Sequence, residues 1–237
     1  PLFSALRNRN PRSAFLLACL SGVVFWSATI YWLIHVTLLG SALLILYLSL
    51  YFGIFGLFVS RPLVSGRFAD VLFISSLWVL LEYLRSHLFT GFGWALLSYS
   101  QYLNLPVIQI ADLLGAYGVS FLIMAVNLIV YYVFAKSAQA RGKGKTLLGA
   151  LLIVVTLTYG YYRIYAVNNP RGSLRYKISV VQANIPQELK WDPQAKEFIL
   201  DKYASLTRLA AAEGADLIVW PEASSPGILG EDDNIFE

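Results

Sequence analysis

The run Leu217-Ile218-Val219-Trp220-Pro221-Glu222 delivers a carboxylate at the end of a short apolar segment. Proline has no N–H to give a sheet ladder, so it ends the segment and leaves Glu222 at a turn, against Ala223, Ser224 and Ser225. A carboxylate so placed has the chemistry of a general base, and a solvated loop glutamate fits the spacing equally well. A second set of ionisable residues, Glu82, Arg85 and His87, closes an apolar run. Glu82 and Arg85 are three residues apart, share a helix face and can pair. An ionisable group at membrane depth suggests a functional site, although a pair near a helix end also reaches water along its own side chains. Asp112 opens another apolar run, where a helix N-terminus favours negative charge, and reads as structural. The single cysteine, Cys19, lies inside an apolar run with no base nearby. It offers neither a disulfide partner nor zinc-type spacing. No metal and no cofactor is expected.

These groups sit in two different solvents. The chain has 237 residues, 57% hydrophobic and 14% charged, against about a quarter charged in a soluble domain. Before residue 170 the acids are Asp70, Glu82 and Asp112, and the other eleven of the fourteen follow it. Two domains are therefore expected, 1–169 helical and membrane-spanning, 170–237 water-facing. The net charge of +4 does not indicate nucleic acid, because the basic residues are spread among loops and build no basic face.

A spanning helix needs about 20 apolar residues. Five segments meet or approach this: 14–35, 41–60, 71–87, 109–135 and 146–165. Arg7, Arg9 and Arg12 precede the first, Arg61 and Arg67 follow the second, and Lys136, Arg141, Lys143 and Lys145 follow the fourth. The intervening loops, 36–40 and 88–108, carry no Lys or Arg. Positive loops stay cytoplasmic, so the part after residue 170 is expected outside the cytoplasm. Tyr31, Trp32, Tyr99, Tyr102, Tyr161, Tyr162 and Tyr165 cluster near span ends, as an interfacial belt does. The loop 90–101 is uncharged and glycine-rich yet too short to span. It could dip into the outer leaflet or cover a lateral opening for a lipid, because irregular backbone at that depth needs protein or a cavity against it.

In the water-facing part, Pro170, Gly172 and Ser173 mark a linker. The segment 176–184 alternates like a strand. Asp192-Pro193 reads as the cap and first residue of a helix, carried on by Ile199, Tyr203, Leu206 and Ala210 and stopped at Gly214. Leu217 to Trp220 reads as a second strand. Strand, helix, strand implies a right-handed parallel unit, whose ligands gather beyond the carboxyl ends of the strands, where Glu222 lies.

Ile218-Val219-Trp220-Pro221-Glu222 resembles the first catalytic element of the nitrilase superfamily. Val181-Gln182-Ala183-Asn184-Ile185-Pro186-Gln187 with Leu189-Lys190-Trp191-Asp192 looks like the opening of the nitrilase-like domain of the apolipoprotein N-acyltransferases. Thr90-Gly91-Phe92-Gly93-Trp94 with Ser98-Tyr99-Ser100-Gln101 is similar to that family's membrane domain. The resemblance implies a multi-span α-helical membrane domain followed by the start of an α/β nitrilase-like sandwich, an α-β-β-α arrangement. It implies eight spans, of which the five here match the third to seventh, so the chain is expected to be a fragment, inactive by itself. It also implies a location in the bacterial inner membrane with the catalytic domain on the periplasmic side. The implied reaction moves an acyl chain from a phospholipid donor to the α-amino group of a diacylglyceryl cysteine on a lipoprotein acceptor, through a thioester. Glu222 matches the glutamate of a Glu-Lys-Cys triad, and Trp191 a functionally important tryptophan. Trp94 is carried over as a substrate contact, and the lysine and the nucleophilic cysteine are expected beyond Glu237. Lys190, Lys196 and Lys202 precede the glutamate and do not match the triad's lysine. Two rival readings are a membrane-anchored nitrilase-type amidase and a non-catalytic membrane scaffold or remnant.

Overall fold

A computed structural model describes residues 1–65, 67–134, 143–168, 176–186, 188–190, 192–222 and 224. The chain forms two compact units, Pro1–Asn169 and Pro170–Glu237.

The first unit is helical: α1 (Leu2–Leu6), α2 (Pro11–Thr29), α3 (Leu38–Val59), α4 (Pro62–Ser65), α5 (Phe68–His87), α6 (Leu105–Ile108), α7 (Ala111–Phe134) and α8 (Lys143–Asn168). The starts are written locally. Asn10 caps α2 by accepting from Ser13 N at 2.8 Å, with Pro11 at the first helical position. Thr37 caps α3 through Gly40 N, and Asp70 accepts from Arg67 N at 2.5 Å at the head of α5. α2 and α3 form a close hairpin in which the small residues Ala14 and Ala18 lie against Gly56. Phe55, Val59, Ile74, Leu128 and Tyr132 are fully buried between the helices. Leucines such as Leu16, Leu43 and Leu151 point outward on the same helices, which suits a lipid solvent.

Four of the five expected spans are long and apolar enough to cross a membrane: Pro11–Thr29, Leu38–Val59, Ala111–Phe134 and Leu147–Asn168. The chain is thus a multi-pass membrane protein. The expected third span is α5. Its 20 residues reach about 30 Å, but Asp70, Glu82 and Arg85, all buried, leave it less apolar than the other four. The first span is also shorter than expected, because the chain passes from α2 into a 3-10 turn at Tyr31–His35. α7 is broken at Gly115, which has φ 64°.

The second unit contains β1 (Ile178–Val180), α9 (Lys196–Ala212) and β2 (Leu217–Val219). The strands pair in parallel, with Ile178 opposite Leu217 and Val180 opposite Val219. Asp192 accepts from Gln194 N ahead of α9, as its cap role requires. Gly214 ends the helix at φ 75°. Val181, Ala183, Ile199 and Tyr203 form the core of this unit, with Ile218 and Trp220 packed on it. Ile178, Val180, Leu217 and Val219 face away from it and are exposed. The expected strand 176–184 is regular over three residues only, because a ladder extends no further than its partner. Two strands and a helix are described here, and the rest of the expected nitrilase-like sandwich is not among the described residues. The linker residues Pro170, Gly172 and Ser173 lie outside the described residues.

Candidate functional site

Both strands of the second unit leave the sheet at the same edge. Val181 N donates to Val219 O at 3.0 Å, one step past the ladder. Pro221 and Glu222 follow on one side, Gln182 to Asn184 on the other. Glu222 is exposed in a turn. Trp220 turns the other way: its ring stacks on Tyr203 at 4.8 Å, and its indole N–H donates to Thr207 Oγ1 at 2.9 Å. The tryptophan therefore anchors the end of β2 to α9, and the carboxylate that follows is exposed. Asn184 is in the left-handed region at φ 49°, and its Oδ1 accepts from Gln182 Nε2 at 2.8 Å. Both residues belong to the run that carries the family resemblance, but their bond to each other is not legible there, because the sequence reads them as part of a strand. Trp191, Ala223 and Ser225 lie outside the described residues.

The first unit holds a cavity of about 400 Å³ lined by Trp26, Phe52, Trp78, Glu82, Arg85 and Leu97, among others. Glu82 and Arg85 both bond to the loop that closes it, and not to each other as the i, i+3 spacing suggested. Arg85 Nη1 donates to Phe92 O and to Trp94 O, both at 2.8 Å. Phe92 N donates back to Arg85 O at 2.8 Å. Glu82 Oε1 accepts from Leu97 N at 2.6 Å and from Trp78 Nε1 at 3.0 Å. The guanidinium lies 4.9 Å from the centre of the Trp26 ring, a cation–π distance. Gly91 turns the loop at φ 71°, where a Cβ would meet Ser86 O at 2.3 Å, so only glycine fits. Beyond the turn, Trp94 is 54% exposed and stacks on Trp32 with ring centres 5.3 Å apart. Ser98 N donates to Ser120 Oγ on α7.

The sequence-predicted residues fall into separate places. Trp94 stands on the loop clamped by Arg85, and Glu222 stands at the strand edge of the other unit. His87 stacks on Tyr83 at 4.1 Å at the end of α5 and bonds its carbonyl. Asp112 accepts from Tyr159 and pairs with Arg163 at 2.6 Å, which supports its structural reading. Tyr159 and Arg163 are four residues apart on one helix face, a signal available in the sequence. Cys19 is a free thiol packed against α3 at Gly53.

Residues 1–129 match the family model described as apolipoprotein N-acyltransferase N-terminal domain. Among curated proteins, the apolipoprotein N-acyltransferase of Geobacter metallireducens is 38% identical over 242 residues, covering 95% of this chain and 46% of the relative. The protein of that name from Shewanella oneidensis is 35% identical over 188 residues, 78% of this chain and 34% of the relative. The one from Coxiella burnetii is 35% identical over 149 residues, 63% of this chain and 29% of the relative. The chain spans less than half the length of these relatives.

Proposed function

The chain belongs to the apolipoprotein N-acyltransferase family, and on that premise we propose that the protein it represents transfers an acyl chain from a phospholipid to the α-amino group of an N-terminal diacylglyceryl cysteine. The observation that carries the reading on to a site is the position of Glu222. It is exposed past the carboxyl end of β2 in a parallel unit, where such sheets place their ligands. The run that delivers it resembles the first element of the nitrilase triad.

In this mechanism Glu222 accepts the proton of the cysteine thiol, and the thiolate attacks the phospholipid ester carbonyl. The lysophospholipid leaves as its alcohol, taking the proton, and an acyl thioester remains. In the second half, the amine of the lipoprotein attacks the thioester and Glu222 takes up the amine's proton. The thiolate leaves and is reprotonated, and an amide has formed. The lysine of the triad stabilises the tetrahedral oxyanion in both halves. The resemblance puts that lysine and the cysteine after residue 237. Trp191 and Trp94 contact the lipid substrates, and no cofactor takes part. The protein works in the bacterial inner membrane, with the second unit on the periplasmic side.

In the complete protein, Glu222→Gln is expected to abolish formation of the acyl thioester while membrane insertion is unchanged. Thioester accumulating at the parent rate in that variant would falsify the assignment.

A further inference from the structure

Arg85 and Glu82 have no part in the chemistry above, yet they are buried to 4% exposure each. Buried charges on a membrane helix are costly and call for a reason. Their bonds run to the loop 88–101. The single Nη1 atom of Arg85 holds the carbonyls of Phe92 and Trp94, on either side of Gly93. Oε1 of Glu82 holds the amide of Leu97. Between these anchors the backbone is strained: Ala95 is at φ 52°, a left-handed conformation at a non-glycine residue. Such conformations persist only where the surroundings over-determine them, and here Ala95 is held between Trp94, whose carbonyl accepts from Arg85, and Leu97, whose amide donates to Glu82. A plain connection between α5 and the turn at Leu97–Gln101 requires neither the strain nor the charges. What this loop shape achieves is the placement of Trp94 against Trp32, a stack of two partly exposed indoles, 54% and 40%.

We propose that Arg85, backed by Glu82, is a positioning residue that locks the 88–101 loop so that the Trp94–Trp32 stack offers a fixed aromatic face to the lipid substrate. The proposal rests on the reading of Trp94 as a substrate contact. Lysine is a poor replacement for the arginine, because its compact ammonium sits on a flexible stem with freely rotating donors and lacks the rigid planar group that lies over Trp26.

The test uses the complete protein in lipid nanodiscs, comparing the parent with Arg85→Lys, Trp94→Ala and the double variant. Two quantities are read: hydrogen exchange of the backbone amides in 88–101, and the rate of thioester formation against the concentration of a fluorescent diacyl phospholipid. Arg85→Lys is expected to raise exchange in 88–101 and leave 38–59 as in the parent. It should raise the half-saturating lipid concentration about tenfold with a smaller fall in the maximal rate. The double variant should be no worse than Trp94→Ala, because the arginine acts through the tryptophan. Unchanged exchange in 88–101 overturns the clamp. Additive effects in the double variant, or a lower maximal rate at an unchanged half-saturating concentration, overturn the role of Trp94. Should Arg85→Lys fail to insert, Trp32→Ala, which leaves the buried charges intact, must still raise the half-saturating concentration for the proposal to stand. If the parent forms no thioester, the proposed function and the lipid half of this proposal fall together, and the exchange result judges the clamp separately.

Discussion

The two oxygens of Glu82 have unequal surroundings: Oε1 accepts two hydrogen bonds, and Oε2 is buried with no partner among the described residues. Removing the side chain orphans the Leu97 amide and leaves Arg85 without its neighbouring acid. Glu82→Ala is therefore expected to destabilise the first unit by about 2–4 kcal/mol, read as a lower Tm in detergent. An unchanged Tm would show that water supplies the missing partners. Asp112→Asn provides the contrast. The Asp112–Arg163 pair is close, at 2.6 Å, but its side chains are 32% and 39% exposed. Screening and hydration reduce the worth of such a pair. Its loss should lower the Tm by less than Glu82→Ala does, and a larger drop would mean that the exposed ion pair matters more than the buried hydrogen bonds. The residue proposed for the chemistry and the residues that hold the first unit together therefore differ in their surroundings. Glu222 is exposed at an edge with its neighbour Trp220 turned into α9, whereas Glu82 is walled in.

At the scale of elements, the crossing of α6 and α8 is set by one missing side chain. A Cβ on Gly160 would stand 1.8 Å from the carbonyl oxygen of Pro106, a backbone atom that cannot rotate aside. Gly160→Ala must push the two helices apart, at a cost of about 1–3 kcal/mol. Gly144→Ala, on the same helix with nothing within 4 Å of the added atom, should be neutral or slightly stabilising. Equal thermal stability of the two variants would mean that the α6–α8 crossing bears no load. The helices themselves were legible in the sequence, because a long apolar run needs helix to satisfy its backbone in lipid. The strands were legible as to place but not as to length. The residues 181–184 keep a strand-like composition and yet leave the ladder, since pairing depends on what lies alongside.

For the whole molecule, the alternation of basic and uncharged loops predicts one side for the second unit. In a Cys19→Ser background, Glu213→Cys puts a thiol on an exposed residue at the end of α9. In whole cells with a permeabilised outer membrane, an impermeant maleimide is expected to label it from the periplasm above the level seen in the same background without Glu213→Cys, which accounts for the expected nucleophilic cysteine. Labelling only after the inner membrane is opened would reverse the topology and remove Glu222 from any site that meets outer-leaflet lipids.

The sequence by itself determined the division near residue 170, four of the membrane helices, the order strand, helix, strand, and the edge position of Glu222. These are additive properties of neighbouring residues: apolar content along a run, side-chain period, a proline ending a strand. Only the tertiary structure decided the partners of Glu82 and Arg85. Their spacing on α5 allowed a bond to each other, but the loop 88–101 folds back and offers both a better one, two carbonyls for the cation and an amide for the anion. It likewise decided that Trp220 packs on Tyr203 and not over the carboxylate beside it. A hydrogen bond or a ring stack depends on which distant atoms arrive within a few ångströms, and that information is not carried by any one stretch of chain.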